Sequence, residues 1–231
     1  MQTYAYPVRP ILYACLIFVL VFLPRADVRA EDFAATQAFS DIELNKTLTE
    51  KDRGFVNLQS KFQDEEPEWF RWHVKAGIRH KFNKWAVLQL AHRYQKDRFK
   101  GSWIRESRSE VQITFRKKQG PWGFSSRNRF EFRDFASPKS DTWRYRNQFK
   151  VSRSLPWEGV SIYVSEEPQY DFELKRWYKH RVTAGVKFPV CTGVTASTYY
   201  RWDIKEQKDD KHTWDKYQIF GFKLRVNLDA L

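Results

Sequence analysis

Beyond residue 30 the sequence has a single cysteine, Cys191, because the other one, Cys15, lies near the N-terminus. One thiol cannot form a disulfide within the chain, so we expect no cross-link to stabilise this fold. We predict that Cys191 serves as a small apolar residue in a turn. A catalytic thiol is the less favoured alternative.

Apolar runs long enough to span a bilayer are also missing. The one extended run, Ile11 to Leu23, is shorter than the roughly 20 residues that a spanning helix needs. It is followed by the small-residue segment Val28-Arg29-Ala30, an order typical of a secretory signal peptide. We therefore predict a signal peptide over residues 1–30, cleaved after about Ala30, and one mature domain over 31–231; an N-terminal anchor helix is the alternative. Any span of the mature chain would have to consist of β-strands.

Enzyme and metal motifs are absent as well. The sequence contains no GxSxG, no HExxH, no Cys/His metal pair and no phosphate-binding loop. We therefore predict no catalytic residues, no metal site and no cofactor. An outer-membrane lipid-modifying enzyme is kept as an alternative, since His92 or His180 could pair with a serine.

Positive charge is abundant. The chain carries 41 Lys and Arg residues against 28 Asp and Glu residues, a formal net charge of +13. Such an excess attracts nucleic acid, anionic lipid or anionic solutes. Because the signal sequence predicts export, we exclude nucleic acid and expect contact with outer-membrane lipids, lipopolysaccharide and possible small anionic solutes.

Alternation of apolar and polar residues recurs after residue 40, and no stretch shows a convincing helical period. This pattern predicts about eleven strands in one domain. Their approximate spans are 41–48, 54–62, 69–82, 85–96, 103–116, 122–135, 142–154, 160–168, 177–188, 193–205 and 213–228. Connections in the predicted order alternate between short ones, such as Asn83-Lys84, and longer charged ones, such as Gln95 to Gly101 and Glu167 to Arg176. This alternation is typical of a transmembrane barrel, whose short turns face the periplasm.

The two faces of the predicted strands differ sharply. In 122–135, Arg and Glu residues occupy one face, whereas Phe124, Phe130 and Phe132 occupy the other. In 177–188 the same rule places Tyr178 on the apolar face. An Arg or Lys that faces lipid at mid-membrane costs about 2–4 kcal/mol, so we expect the ionic faces to line the lumen. Tryptophans near both ends of the strands fit interfacial girdles, although a soluble β-sandwich with an aromatic core is an alternative.

The predicted fold class is therefore all-β, an antiparallel transmembrane β-barrel of about 10–12 strands. Bacterial single-chain barrels prefer even strand counts with both termini in the periplasm. Strands from residue 54 onward make ten. The segment 41–48 is then a short extra strand, an inner segment, or part of a twelve-strand closure.

The candidate site is a basic cluster that lines the lumen. Same-face neighbours on adjacent strands lie about 5 Å apart, so these charges need counter-charges. One interpretation is a salt-bridge lattice that plugs a narrow barrel, and the other is an anion-selective constriction. The predicted basic residues are Arg127, Arg129, Arg133, Arg144, Arg146, Lys150, Arg108, Arg116, Arg181 and Arg201, and their acidic partners are Glu106, Glu110 and Glu131.

Several strands also resemble a known family. The pattern Arg127-x-Arg129-x-Glu131-x-Arg133 is followed by Arg144-x-Arg146, by Tyr163-Val164-Ser165-Glu166, and is preceded by Glu106-Ser107-Arg108. Together these resemble the bacterial family catalogued as domain of unknown function 2490, over most of residues 40–228. The resemblance implies an outer-membrane barrel without an assigned activity and supplies no catalytic residues.

The leading functional hypothesis is an outer-membrane β-barrel protein of a Gram-negative bacterium. Its Arg/Lys-rich lumen makes it a porin-like, narrow, anion-favouring channel or a structural surface protein. The barrel-assembly machinery is expected as a partner during insertion. Besides the lipid-modifying enzyme, the other alternative is a soluble periplasmic β-sandwich that binds an acidic polysaccharide.

Overall fold

The computed structural model describes residues 35–63, 68–99, 102–136, 141–206 and 213–231. Residues 33–231 belong to one compact unit. The predicted signal peptide and its cleavage point after Ala30 lie outside the described residues. Among the described residues, no helix has the length and apolar character needed to cross a membrane.

Nearly all of the described chain is β-strand. The strands are β1 (Ala35–Thr47), β2 (Asp52–Gln63), β3 (Glu68–Lys81), β4 (Ala86–Phe99), β5 (Ser102–Gln119), β6 (Trp122–Phe135), β7 (Thr142–Ser154), β8 (Ser161–Glu166), β9 (Gln169–Asp171), β10 (Arg176–Cys191), β11 (Val194–Glu206) and β12 (Trp214–Asn227). A short 3-10 helix, Leu228–Ala230, follows β12.

The strands form one closed sheet. Apart from β8 and β9, which do not pair with each other, each strand pairs with its sequence neighbour, and β1 pairs with β12 to complete the ring. The short strands β8 and β9 both lie between β7 and β10, so they fill one position. The barrel therefore has 11 strand positions. The all-β barrel predicted from the alternation is confirmed.

The closing pair departs from the expected antiparallel rule. β1 and β12 run parallel, from Ala35 opposite Tyr217 to Asn45 opposite Asn227. An odd number of otherwise antiparallel strands requires one parallel pair. The segment predicted at 41–48 is thus part of a full wall strand, and the expected even count was wrong. The start of β1 and the end of β12 consequently lie at opposite ends of the barrel.

The connections differ less in length than the sequence suggested. Glycines with positive φ angles, Gly120 (57°) and Gly193 (75°), form two of the tight hairpins. The predicted loop from Gln95 to Gly101 was wrong over most of its length, because β4 continues to Phe99 opposite Ser102. We call the end of the barrel that carries the connections around 64–67, 100–101 and 207–212 the loop end, and the opposite end the turn end.

The outer face of the barrel is apolar. Phe130, Val111 and Phe222 are each about half exposed there, and the described residues form a single sheet, with no second sheet to cover them. The alternative of a β-sandwich was therefore wrong. Exposed aromatic side chains occur near the loop end, such as Trp143 and Trp202, and near the turn end, such as Trp122.

One residue on the predicted apolar face was misplaced. The register of β10 against β9 shifts between Trp177 and Lys179, which forms a β-bulge at Tyr178. The bulge turns the Tyr178 side chain inward, where its hydroxyl accepts a hydrogen bond from Arg144 Nη1 at 2.9 Å. A bulge inserts one residue into the alternation, so strict period-two counting assigns the wrong face.

Candidate functional site in the barrel interior

The barrel interior is lined by buried charged and amide side chains rather than by an apolar core. Glu131 and Gln169 are fully buried, and Glu106 and Glu110 are 1% exposed. Side chains alternate between the two faces of a strand. Since Phe130 of β6 and Val111 of β5 point outward, the odd-numbered residues of β6 and the even-numbered residues of β5 point inward. The interior is therefore a polar network, and its pairing decides what it can do.

Glu131 of β6 lies at the centre of this network. Its carboxylate accepts hydrogen bonds from Arg144 Nε at 2.7 Å and from Arg146 Nη1 at 2.9 Å. Arg129 Nη1 at 3.3 Å and Arg108 Nη1 at 3.5 Å complete the shell. Four guanidinium groups from three neighbouring strands thus share one fully buried carboxylate.

Two carboxylates of β5 extend the lattice. Glu106 accepts hydrogen bonds from Arg108 Nε and Arg133 Nε, both at 2.8 Å. Glu110 pairs with Arg93 Nη2 at 2.8 Å and with Arg129 Nη1 at 3.6 Å. The structure therefore brings together all three predicted acidic residues with five of the predicted basic ones.

Glu167 is a further centre that the sequence analysis did not select. It accepts hydrogen bonds from Arg146 Nε at 3.0 Å, from Arg181 Nη1 at 3.2 Å, and from Arg127 Nη2. Glu167 lay in the overlap of the predicted strand 160–168 and the predicted loop 167–176, and the alternation of Tyr163 and Ser165 continues through it. The motif glutamate chosen there, Glu166, lies on the outer face with 61% of its side chain exposed.

We call these residues the ion-paired wall. It consists of the inward side chains Glu106, Arg108, Glu110, Arg127, Arg129, Glu131, Arg133, Arg144, Arg146, Glu167 and Arg181. Replacing a buried ion pair by apolar residues can be neutral, but removing one partner leaves a buried charge uncompensated and costs about 3–5 kcal/mol. The wall therefore supports the salt-bridge interpretation of the predicted cluster.

Smaller ion-paired groups lie on other strands. Glu43 of β1 contacts Arg79 at 3.1 Å, and Lys223 and Arg225 at 3.0 Å each. Asp203 of β11 contacts Lys179 at 2.6 Å. The group around Glu43 was not predicted, because the role of the segment 41–48 was left open and its neighbours around the closed ring could not be assigned.

A second feature of the interior is a line of register partners that runs along the wall from β1 to β8. Phe39 of β1 is paired in register with Gly221 of β12, Gly221 with Tyr199 of β11, Tyr199 with Gly185 of β10, and Gly185 with Tyr163 of β8. Aromatic residues and glycines therefore alternate along one continuous cross-strand line. We call this line the aromatic row.

The glycines give the rings their space. A Cβ atom on Gly221 would lie 1.9 Å from Tyr199 Cζ, and one on Gly185 would lie 2.7 Å from Tyr163 Cζ. The two tyrosine rings thus lie directly over neighbouring glycines, an arrangement that covers the bare backbone and fixes the rings.

Three cations pack on the aromatic row. Lys61 Nζ lies 4.0 Å from the centre of the Phe39 ring, and Lys150 Nζ lies 3.6 Å from that of Tyr163. Arg201 Cζ lies 4.9 Å from the centre of the Tyr199 ring and 5.8 Å from that of Phe39. Within the described part of the chain, no carboxylate forms an ion pair with any of these three. Their charges are stabilised by ring faces instead.

Comparison with known protein families assigns the chain to one of them. A model described as "Protein of unknown function (DUF2490)" matches residues 36–214. The chain belongs to this family. The resemblance noted in the Arg-rich strands is thereby confirmed. No curated protein matches this DUF2490 chain.

Two solved structures are similar to it. One is from work on the in-meso crystallization of membrane proteins, with 14% identity and a TM-score of 0.40, covering 79% of this chain and 80% of that one. The other is an anion-selective porin from Comamonas acidovorans, with 9% identity and a TM-score of 0.37, covering 75% of this chain and 55% of that one. These similarities are too weak to carry an inference about this DUF2490 protein.

One residue of the predicted cluster lies apart from both features. Arg116 is exposed near the turn end of β5, where its backbone N–H donates to the carbonyl oxygen of Trp85 at 2.8 Å. Cys191 is exposed at the end of β10. Among the described residues, no group of three or more His, Cys, Asp or Glu side chains is placed to hold a metal ion.

Of the two histidines suggested for a lipid-modifying enzyme, His180 lies beside Glu166, with Nδ1 3.6 Å from Oε1, and His92 lies beside two serines. His92 Nε2 lies 3.1 Å from Ser107 Oγ, and its Nδ1 lies 3.3 Å from Ser109 Oγ, on the outer face of β4 and β5. Within the described chain, neither ring nitrogen contacts a carboxylate that could orient the ring. The Ser–His–Asp arrangement of acyl-transfer enzymes is therefore incomplete at this position.

Proposed function

We propose that this DUF2490 protein is an exported outer-membrane barrel that acts as a narrow, anion-favouring channel. The single observation that carries this proposal is the pairing pattern inside the barrel. The acids of the ion-paired wall all contact cations, whereas Lys61, Arg201 and Lys150 have no acidic partner among the described residues. The interior therefore has a surplus of positive charge that attracts small anions.

The geometry of the aromatic row supports a path for anions through the barrel. Lys61 lies near the loop end of β2, whereas Tyr163 and Lys150 lie near the turn between β7 and β8. The row therefore leads from close to one end of the barrel to close to the other, with cations along it. Neighbouring weak sites of this kind allow an ion to enter and to leave.

The apolar outer face supports insertion into a bilayer. Exposed Phe, Val and Leu side chains occupy the middle of the wall, and exposed tryptophans lie towards its ends. We infer contact with outer-membrane lipids and lipopolysaccharide, insertion by the barrel-assembly machinery, and removal of residues 1–30 on export. Fractionation of cells with and without detergent tests this location. A protein that extracts in buffer alone would contradict it.

Purified protein in planar bilayers tests conduction. We expect small conductance steps in potassium chloride and a zero-current potential of the sign that indicates chloride preference. A correctly folded barrel without conductance would reject transport. That result would favour a structural surface protein, a role that the ion-paired wall also suits.

A further inference from the structure

Lys61 and Arg201 share one aromatic residue. Lys61 Nζ lies 4.0 Å from the ring centre of Phe39, and Arg201 Cζ lies 5.8 Å from the same point. Their two charges are consequently closer than about 10 Å, the distance over which salt screens charges. Two like charges held this close in a protein interior repel each other unless an anion lies near them.

Both residues are held in place. Lys61 is 7% exposed and Phe39 is 5% exposed. Arg201 Nε donates a hydrogen bond to Thr183 Oγ1 at 3.2 Å, which holds one edge of the guanidinium in place. Ordering of this kind lowers the entropic cost of binding a ligand.

Other cations lie on the neighbouring strands. Lys61 lies opposite Arg71 of β3, and Arg201 lies two residues from Asp203 on β11, next to β10 with its Arg181 and Lys179. Arg71 contacts Asp97, and Arg181 and Lys179 contact Asp203. Lys61 and Arg201 are thus the two members of this group without a carboxylate partner in the described structure. An unpaired buried charge is costly, so a counter-ion from solution would stabilise the pair.

We propose that Lys61 and Arg201, positioned by Phe39, form a binding site for a small oxyanion, the carboxylate or phosphate group of a solute. A guanidinium presents two parallel donors that match such a group, and the ammonium adds a compact charge. This inference rests on the proposed function for the route by which the solute arrives. The binding event itself requires only access to the interior.

Calorimetry on the full barrel in detergent micelles tests the site without any need for conduction. Inorganic phosphate and acetate are titrated separately, with chloride as the competing simple anion. We expect saturable binding of at least one oxyanion at a single site. Each of Lys61→Gln and Arg201→Gln should weaken that binding about tenfold, because a hydrogen bond to a charged group is removed.

Lys187→Gln is the matched control. Lys187 points inward on β10 opposite Ser197 and Ser161, so this variant removes the same charge away from Phe39 and should leave oxyanion binding unchanged. The preference between phosphate and acetate identifies the kind of solute. Absence of saturable binding, or equal losses in the Lys61 and Lys187 variants, would overturn the site.

Single-channel recordings separate this proposal from the proposed function. Oxyanion binding with no conductance would reject the channel and leave the site intact. Conductance with chloride preference, but without calorimetric binding, would leave the channel and reject the site. Heat-modifiable gel migration of each variant confirms that the barrel has folded, so a folding defect is not taken for lost binding.

Discussion

The ion-paired wall and the aromatic row line the same interior, yet their cations are stabilised in different ways. In the wall, Glu131 contacts four guanidinium groups, two of them within 3.0 Å. On the row, Lys61 and Lys150 lie on ring faces at 4.0 Å and 3.6 Å. A ring attracts a cation through its quadrupole but leaves the net positive charge in place. The four carboxylates of the wall cancel the charge of four of its seven arginines.

This difference separates stability from selectivity. Buried carboxylates fix the strands of the wall and cancel four of its seven positive charges, whereas the three cations of the row have no carboxylate partner among the described residues. Charges that remain uncancelled attract anions. A basic cluster recognised in a sequence therefore does not by itself indicate an anion site, since the position of the acids decides the outcome.

The largest expected effect follows removal of the central carboxylate of the wall. Glu131→Ala leaves four guanidinium groups without their shared partner, so we expect a loss of about 3–5 kcal/mol in the free energy of unfolding. Thermal or denaturant unfolding in detergent measures it. Glu166→Ala is the control, because Glu166 is largely exposed on the outer face. Equal stability of the two variants would show that the wall does not stabilise the barrel.

A smaller effect is expected when the aromatic row is disturbed. Gly221→Ala forces a Cβ atom to within 1.9 Å of the Tyr199 ring, and overpacking of this kind costs about 1–3 kcal/mol. Gly54→Ala is matched to it, since its new Cβ would meet Leu48 Cδ1 at an ordinary 3.4 Å. Unfolding in detergent compares them, and an unaffected Gly221→Ala protein would indicate that the ring lies elsewhere.

Phe39 belongs to the aromatic row only if β1 and β12 pair in parallel with Phe39 opposite Gly221. In a background with Cys191→Ala, the pair Ser40→Cys and Phe222→Cys should form a disulfide, because these residues are direct partners of β1 and β12. The shifted pair Ser40→Cys and Phe220→Cys is the control, since Phe220 lies opposite Ala38. Mass spectrometry of the oxidised proteins measures each yield. Cross-linking of the shifted pair alone would contradict this register.

The smallest effect is expected outside both features, where Asp229 Oδ2 accepts a hydrogen bond from the Thr47 backbone N–H at 2.8 Å. Hydrogen bonds from the Thr47 side chain and backbone lower the pKa of Asp229 below its usual 3.8. A lowered pKa means that this contact stabilises the fold above pH 3.8 and is lost as the pH falls through the lowered value.

Amide hydrogen exchange of Thr47 measures this contact. Protection should persist at pH 4 and disappear at more acidic pH, whereas Asp229→Ala should remove it at every pH. Glu158→Ala in an exposed turn is the control. Unchanged protection in Asp229→Ala would show that Thr47 has another acceptor.

Alternation in the sequence predicted which residues face inward on most strands, because hydrocarbon and protein interiors both penalise a one-residue slip. It placed Arg129, Glu131 and Arg144 on the correct face and grouped them correctly. It failed at Tyr178, where a bulge breaks the period, and at Glu167, which lay where the predicted strand 160–168 and the predicted loop 167–176 overlapped and was not selected as a lumen acid.

The pairing around the ring could not be predicted in the same way. Whether Lys61 contacts an acid depends on β1 and on strands from the far end of the chain, and a parallel closure has no local sequence signal. The interleaved glycines, Gly185 and Gly221, are a usable signal in retrospect, since inward glycines in strands mark a close approach by a neighbouring side chain.

The zero-current potential in a potassium chloride gradient tests the central claim most directly, measured for the native protein and for the Lys61→Gln, Arg201→Gln double variant. The account predicts chloride preference in the native barrel and a marked fall towards zero in the double variant. Cation preference in the native barrel, or an unchanged potential in the double variant, would contradict it.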